Sequence, residues 1–357
     1  MRSNLKSMRA MILKEFRELR RDHRTMGMLI GMPVLLLVVF GYAANFTVDN
    51  VPLAAVGPKA QQVAQQVEVI AQAPFEVVEV DPAGDAATAE DLLQRDSVDV
   101  AIDTGQQPPV AYIDGSSLFT AQTSIAAFNR LGDQVTVEIL FNPELKTSWV
   151  MVPAIIGLIL TFIGTIITSI GMVKEKQTGT IEQLAVMPIK PSTVILGKIL
   201  PYFLLATLDM VLVTVLGMVL FDVPFNGSVG VFAIGAGLFL FVVLGLGVFV
   251  STISQNVGQA IQTAFFFLLP QILLSGFIFP LEAIPWGVRW MSYFLPLTYF
   301  TMVSQGVMLR GAPLDALWFP LIMLAIMAVV IFTGAVLRFR RNLAPGDGRR
   351  SKPKVSA

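Results

Sequence analysis

The sequence predicts an α-helical polytopic membrane protein with six transmembrane helices, an N-terminal amphipathic interfacial helix and a small extracytoplasmic α/β domain. Three observations lead there. Hydrophobic residues fill 54% of the 357 positions against 14% charged, and mean hydropathy is +0.70, well outside the range of soluble domains. Six nearly uncharged runs reach the roughly 20 apolar residues that a helix needs to cross a bilayer. Residues 46–147, by contrast, have the composition of a folded domain.

The leader, residues 1–25, places Leu5, Met8, Ile12, Phe16 and Leu19 at steps of three and four, with Lys and Arg around the rest. Such a helix lies with its apolar side in the acyl boundary and its basic side among headgroups. A calmodulin-type target or a nucleic-acid arm would have the same pattern, but its position directly before a span favours the interface, and no nucleic-acid partner is expected. The first span, 26–45, ends in "GYA", which resembles a cleavage site. Its apolar run and its basic leader are both too long for a signal peptide, so it is read as an uncleaved anchor.

Residues 46–147 alternate β-rich stretches, "VPLAAVG", "FEVVEV", "SVDVAI" and "PVAYID", with the helix-like "KAQQVAQQVEVIAQA", "DAATAEDLLQRD" and "SLFTAQTSIAAFNRLGDQVTVEIL". This alternation is that of a small α/β layer, with turns at "DPAGD", "DTGQQPP" and "DGSS". Its last helix is expected to continue towards the second span through "FNPELKTSW". The domain has no phosphate loop, metal spacing or nucleophile elbow, so it is read as shaping the extracytoplasmic mouth or touching a partner; a periplasmic adaptor is one such partner.

The remaining chain divides into spans at 148–173, 199–221, 229–253, 257–281 and 316–337, a polar segment at 174–198, an extracytoplasmic re-entrant or interfacial segment at 282–315, and a basic tail at 338–357. Of the 25 Lys and Arg, eight lie in the leader, four in 174–198 and seven in the tail. Basic residues stay on the cytoplasmic side, which puts both termini and the polar segment there, and six spans close consistently. With no Cys and only His23, thiolate chemistry and a histidine metal cluster are excluded. No cofactor is expected on this chain.

The polar segment contains "TIEQ", Thr180 to Gln183, which fits a capping box and starts a helix. Gly179 permits the sharp turn out of the second span, and Pro188 ends the element after about two turns. The result is a short rigid helix across the membrane's inner edge, with Glu182 facing the cytoplasm and Glu175 and Lys176 flanking it. The plain alternative is a solvated loop that merely joins two spans.

"KEKQTGTIEQLAVMPIKPSTVILGKILPY" resembles the stretch joining the second and third spans of type-2 ABC transporter permeases. An acidic and basic pair, a Gly-Thr step, a Glu-Gln pair, a Pro and a Gly-Lys recur there in this order. "LLSGFIFPLEAIPWGVRWMSYFLPLTYFTMVSQGVMLRG" is similar to the family's fifth span and the turn after it. The subgroup it resembles is the one associated with drug efflux. The resemblance implies a permease that works as a dimer, homo- or heteromeric, on a separate ABC ATPase subunit that holds the ATP and Mg. Carried over by motif, Glu175, Lys176, Gly179, Thr180, Glu182, Gln183 and Pro188 become candidates for ATPase coupling. It also implies a path lined by spans two and five, for which Thr161, Thr165, Gln262, Phe266 and Gln271 are candidates, although a lipid-facing Phe is the plain alternative. No G-x-x-x-x-G-K-[ST] loop occurs, so the chain is expected to be a transporter subunit and not itself an ATPase.

Asp209 is the one carboxylate at mid-membrane depth. An Asp at a helix centre costs roughly 2.5–3.5 kcal/mol on insertion scales, so it is expected to face the interior, as a proton or cation site or as a structural hydrogen-bonding group. Two other functions stay open: a proton-coupled secondary transporter using Asp209, and a non-transporting membrane scaffold or sensor.

Overall fold

The computed structural model describes residue 34 and residues 50–69, 74–179, 191–284 and 286–343. The leader, nearly all of the first span, the core of the coupling segment (Thr180, Glu182, Gln183 and Pro188 among it) and the end of the tail lie outside the described residues.

A mixed sheet forms the α/β domain. Its strands are β1 (Val51–Val56), β2 (Phe75–Asp81), β3 (Val100–Asp103), β4 (Val110–Asp114) and β5 (Thr136–Leu140), in the order β2-β1-β3-β4-β5. Only the β3–β4 pair is antiparallel. Helices α1 (Ala60–Val69), α2 (Ala86–Gln94) and α3 (Leu118–Phe128) cover it. The central strands β1, β3 and β4 are apolar up to the aspartates that end β3 and β4, Asp103 and Asp114, because both faces are packed. Val51, Leu53, Ala111 and Ile113 meet α1 and α3, while Ala54, Val56, Val110 and Tyr112 meet α2. A capping box of Asp85 and Thr88 starts α2.

The stretch expected to be one helix from Ser117 to Leu140 divides instead. Helix α3 stops at Phe128, a 3-10 turn follows, and β5 takes "TVEIL". Val135, Val137 and Ile139 recur at period two, and β-branched residues on that spacing favour a strand edge over a helix. No helix continues into the next span either. Asn142, fully buried, donates to Gly115 O and Lys146 O and accepts from Lys146 N. These bonds fold 142–146 into a tight link, with positive φ at Leu145 and at Phe141 just before it.

Five described helices are long and apolar enough to cross a membrane. They belong to α4 (Thr147–Gln177), α5 (Pro191–Phe221), α6 (Val229–Ile253), α7 (Val257–Leu274) and α9 (Trp318–Leu343), while the shorter α8 (Pro296–Gln305) precedes a π turn at Gly306–Arg310. Two expected boundaries move. Helix α4 carries on past Val173 through Lys174, Glu175 and Lys176, since nothing breaks it before Gly179, where φ is +77°, and two basic residues in its last turn suit the helix's negative end. Helix α7 was expected to reach Leu281 but stops at Leu274; Gly276, at φ +85°, turns the chain out. Pro270 lies inside α7 and Pro280 beyond it.

Helix α4 is the axis of the bundle, with α5, α6, α7 and α8 packed on it. Its core joins Leu160, Phe239 and Phe300, the two rings stacked at 4.4 Å. Residues 296–310 are buried in this core; Tyr299, Phe300, Met308 and Leu309 have almost no exposure. Helix α5 turns Leu204, Leu208, Val211 and Val215 outward, a face suited to acyl chains.

Lipid supplies little hydrophobic force between helices, so close backbone approach matters. At the α4–α6 crossing, a Cβ on Gly247 would stand 2.8 Å from both Thr165 O and Thr168 Cβ. A backbone oxygen cannot move aside cheaply. Gly247→Leu should therefore cost about 1–3 kcal/mol, read as a lower melting temperature in detergent, whereas Gly237→Leu, which meets open space, should melt like the parent. Equal melting of the two variants would mean that the helices do not cross there.

Candidate functional site

Four places carry the polar chemistry of the bundle. At the end of α4 remote from the domain, Glu175 forms an ion pair with Lys198 of α5, and Lys176 Nζ donates to Ser254 O at the end of α6, 3.3 Å away. Both side chains thus act within the chain. They hold the two ends of the segment 180–190 and the α6–α7 turn in one frame, and Gly179 starts the segment from that frame.

Midway along α4, Thr161 and Thr165 meet Gln271 of α7 in a narrow crevice too tight to admit a water, bordered by Phe162, Phe267 and Leu268. The Thr161 hydroxyl donates to Gly157 O at 2.8 Å and that of Thr165 to Val243 O at 3.3 Å. Gln271 is 2% exposed and its Oε1 has no partner among the described residues. Gln262 and Phe266 are not in the crevice; both are exposed on another face of α7. At about 100° per residue, nine positions turn a helix through half a revolution, which separates Gln262 from Gln271. Phe162 and Phe265 meet edge to face at 5.6 Å on the exposed side of the α4–α7 pair.

Asp209 lies half-buried on α5, and its Oδ2 is enclosed without a hydrogen-bond partner among the described residues.

The fourth place has no counterpart among the sequence-based candidates. Arg310, last residue of the π turn, reaches into the α/β domain. Its Nη1 donates to Asp96 Oδ1 at 2.8 Å, Ser116 Oγ at 3.2 Å and Asp114 Oδ2 at 3.4 Å. Arg310 is 7% exposed and Asp114 not at all. Burial pushes the Asp114 carboxyl above its ordinary range, and Arg310 offsets this only in part because Asp96 repels it. Burial also opposes the charge on Arg310, but Asp96, Asp114 and Asp99 outweigh it and hold the guanidinium above its ordinary value. Around this pair, Gln94 Nε2 donates to the carbonyls of Arg310 and Gly311 at 3.1 and 3.0 Å, and Arg95 reaches Asp315 at 2.5 Å. Asn226 secures the π turn from the other side, donating to Leu309 O at 2.7 Å. No local motif marks Arg310; the only sequence signal is a lone Arg in an apolar stretch, since its partners lie about 200 positions away.

This set of spans with an inserted α/β domain has relatives. A family model described as ABC-2 family transporter protein matches residues 23–337. The chain belongs to the ABC-2 transporter family. This ABC-2 protein is 28% identical over 365 residues to the probable multidrug ABC transporter permease YbhR of Escherichia coli K12, covering 93% of this chain and 98% of the relative. YbhS of the same organism, also named a probable multidrug ABC transporter permease, is 28% identical over 335 residues, 85% of this chain and 88% of the relative. The inner membrane transport permease YhhJ of that strain is 34% identical over 210 residues, 57% of this chain and 54% of the relative. The ABC-2 chain is thus a multi-pass membrane permease.

Two outcomes follow from these ion pairs. Arg310→Ala leaves Asp114 buried without its countercharge and should cost about 3–5 kcal/mol, seen as early melting of the purified protein; Arg310→Met with Asp114→Asn should recover most of the loss. For the other frame, Glu175→Lys should lower the melting temperature, and adding Lys198→Glu should restore it. A swapped pair no more stable than the single reversal would remove that brace.

Proposed function

We propose that this chain is the membrane-spanning subunit of an ATP-driven exporter, moving a drug-like or amphiphilic compound out of the cytoplasm or inner leaflet. The observation that carries this reading is the continuity of α4. One 31-residue helix, about 46 Å long at 1.5 Å per residue, borders the polar crevice, underlies the α/β domain and ends at the braced coupling segment. A push on one end of such a rod is felt at the other, whereas a flexible connection would absorb it.

In this reading a separate ABC ATPase subunit docks on residues 174–198, touching Thr180, Glu182, Gln183 and Pro188, and closes on ATP. Glu175 and Lys176 stiffen the seat. The leader helix offers a second contact and residues 26–45 the sixth span, with both termini in the cytoplasm of a bacterial cell whose inner membrane holds the protein. A second permease, identical or homologous, covers the α4–α7 face where Phe162, Phe265 and Phe266 are exposed, and the crevice of Thr161, Thr165 and Gln271 opens when the two subunits part. Relatives named as multidrug permeases over nearly the whole chain support the substrate class. The chain itself holds no nucleotide.

The enclosed Asp209 Oδ2 favours one other reading, a proton-coupled transporter. The full-length tagged chain, drawn from its native membrane, should bring a nucleotide-hydrolysing subunit with it, and Glu182→Lys should release that subunit. Asp209→Asn should leave most export intact. Uptake driven by a pH gradient, with no ATPase retained, would favour the proton-coupled reading, and neither activity would leave a scaffold or sensor.

A further inference from the structure

Between α7 and α8 lie a 3-10 turn at Leu281–Ala283, a single α turn at Trp286–Arg289 and a second 3-10 turn at Ser292–Phe294. Leu281, Ile284, Met291 and Leu295 pack with Leu274 and Met302 of the bundle. Trp286, Trp290 and Phe294 stand clear of that packing and are 73%, 52% and 73% exposed. Trp290 and Phe294 meet edge to face at 6.2 Å. The Trp290 indole N–H turns back onto Gly287 O at 3.1 Å, so the surface it presents outward is apolar ring alone. A patch of large apolar side chains on this scale marks a surface that something else covers.

Three observations point to lipid as the cover. The first is continuity. Tyr299 of α8 donates to Tyr293 O at 2.8 Å and meets Phe319 of α9 edge to face at 6.0 Å, so the patch adjoins the start of α9. There Trp318 and Phe319 are exposed and head a bare stripe that runs down this span through Ile322, Ile326 and Val330. Such a stripe on a membrane helix faces acyl chains, and aromatic rings at its end mark the headgroup level. The second is length. Helix α7 has 18 residues, about 27 Å at 1.5 Å per residue, against a hydrocarbon core of about 30 Å. The turns after it therefore begin at the membrane's edge and not out in the water. The third is the placement of tryptophan. The chain has four, at 149, 286, 290 and 318. All lie on the side of the bundle that meets the α/β domain, where Thr147 and Leu281 share a cavity with Ser97 and Asp315 pairs with Arg95.

We infer that Trp286, Trp290 and Phe294 form a lipid anchor, seated in the headgroup–acyl boundary of the leaflet on the domain's side. Interfacial segments reach about 5–10 Å into this boundary, where rings lie among the first acyl carbons and the Trp286 indole N–H meets ester carbonyls. The anchor fixes the end of α7 and the entry to α8 at that depth. It thereby gives the buried stretch 296–310, which ends in Arg310, a fixed start. This role needs neither ATP nor an ATPase and stands apart from the export reading.

Tryptophan emission of the full chain in phospholipid vesicles tests it, with the emission lost in Trp286→Phe with Trp290→Phe identifying the anchor's share. Phe keeps an apolar ring at each place, so this variant should melt like the parent. Phospholipid brominated high on its acyl chains, near the glycerol, should quench most of the anchor's share. Phospholipid brominated near the chain ends should quench it less, and iodide on both sides of the vesicle should quench it little. Trp286→Asp with Phe294→Asp should lower the melting temperature in the same vesicles, whereas at a water-facing surface such changes are nearly neutral. Quenching by iodide without quenching by bromolipid would put the rings in water and overturn the inference. Emission that neither quencher reaches would mean that a second copy or another protein covers the face, and would overturn it equally. So would an unchanged melting temperature in the double aspartate variant.

Discussion

Arg310 sits where two unlike structures have to be joined. A soluble α/β domain and a bundle built for lipid offer each other little matching surface, and the link at 142–146 is short. The guanidinium bridges them by leaving an apolar stretch, entering the domain and finding Asp96, Asp114 and Ser116 within hydrogen-bond reach. Removing such a charge from water carries a penalty that only close, well-made contacts offset. Asp114 and Ser116 are fixed by the β3–β4 pairing and the turn after β4, and Asp96 by the turn that closes α2. The domain's position is therefore set by its most rigid part. Gln94 and Arg95 at the end of α2 add bonds to the same loop, so that domain and bundle meet along a line and not at a point.

Held in that way, the domain stands slightly clear of the helices, and a half-open cavity of about 420 Å³ is the gap that remains. The same helix that forms its floor, α4, borders the crevice of Thr161, Thr165 and Gln271 lower down. In the crevice, threonine hydroxyls turn back onto backbone carbonyls one turn earlier or on α6, leaving mainly Gln271 Oε1 unmatched.

Much of this fold was legible because its parts obey local rules. Apolar runs of span length, the Gly179 turn and four strands flanked by turn residues all leave signals within a few positions. Helix α6 coincides with the expected 229–253. Strand β5 was overlooked because the lone Gly132 between α3 and "VTVEIL" reads as part of a helix-like run; that glycine and the two-residue period of Val135, Val137 and Ile139 are its signals. The end of α7 was misplaced because Ser275 and Gly276 are small residues inside an unbroken apolar string, where hydropathy is blind to backbone sign. Gln262 and Gln271 looked alike as residue types, and the helical rotation between them decides which one is inside. Arg310 was beyond reach for a different reason: its partners are set by tertiary docking, which writes nothing into neighbouring sequence.

The two braces at opposite ends of α4 explain why a helix so long need not bend under load. At one end Lys176 and the Glu175–Lys198 pair bind it to α6 and α5; at the other, Gln305 of α8 donates to Val150 O at 3.0 Å, close to the link stapled by Asn142. Between them Gly164 and Gly247 bring α4 and α6 to backbone contact. A rod fixed to its neighbours at both ends and in the middle moves only with them, as one body. Any force applied at the segment after Gly179 is then delivered, without loss in local bending, to the floor of the cavity under Arg310. A rigid element braced at both ends is the physical requirement for coupling between distant sites.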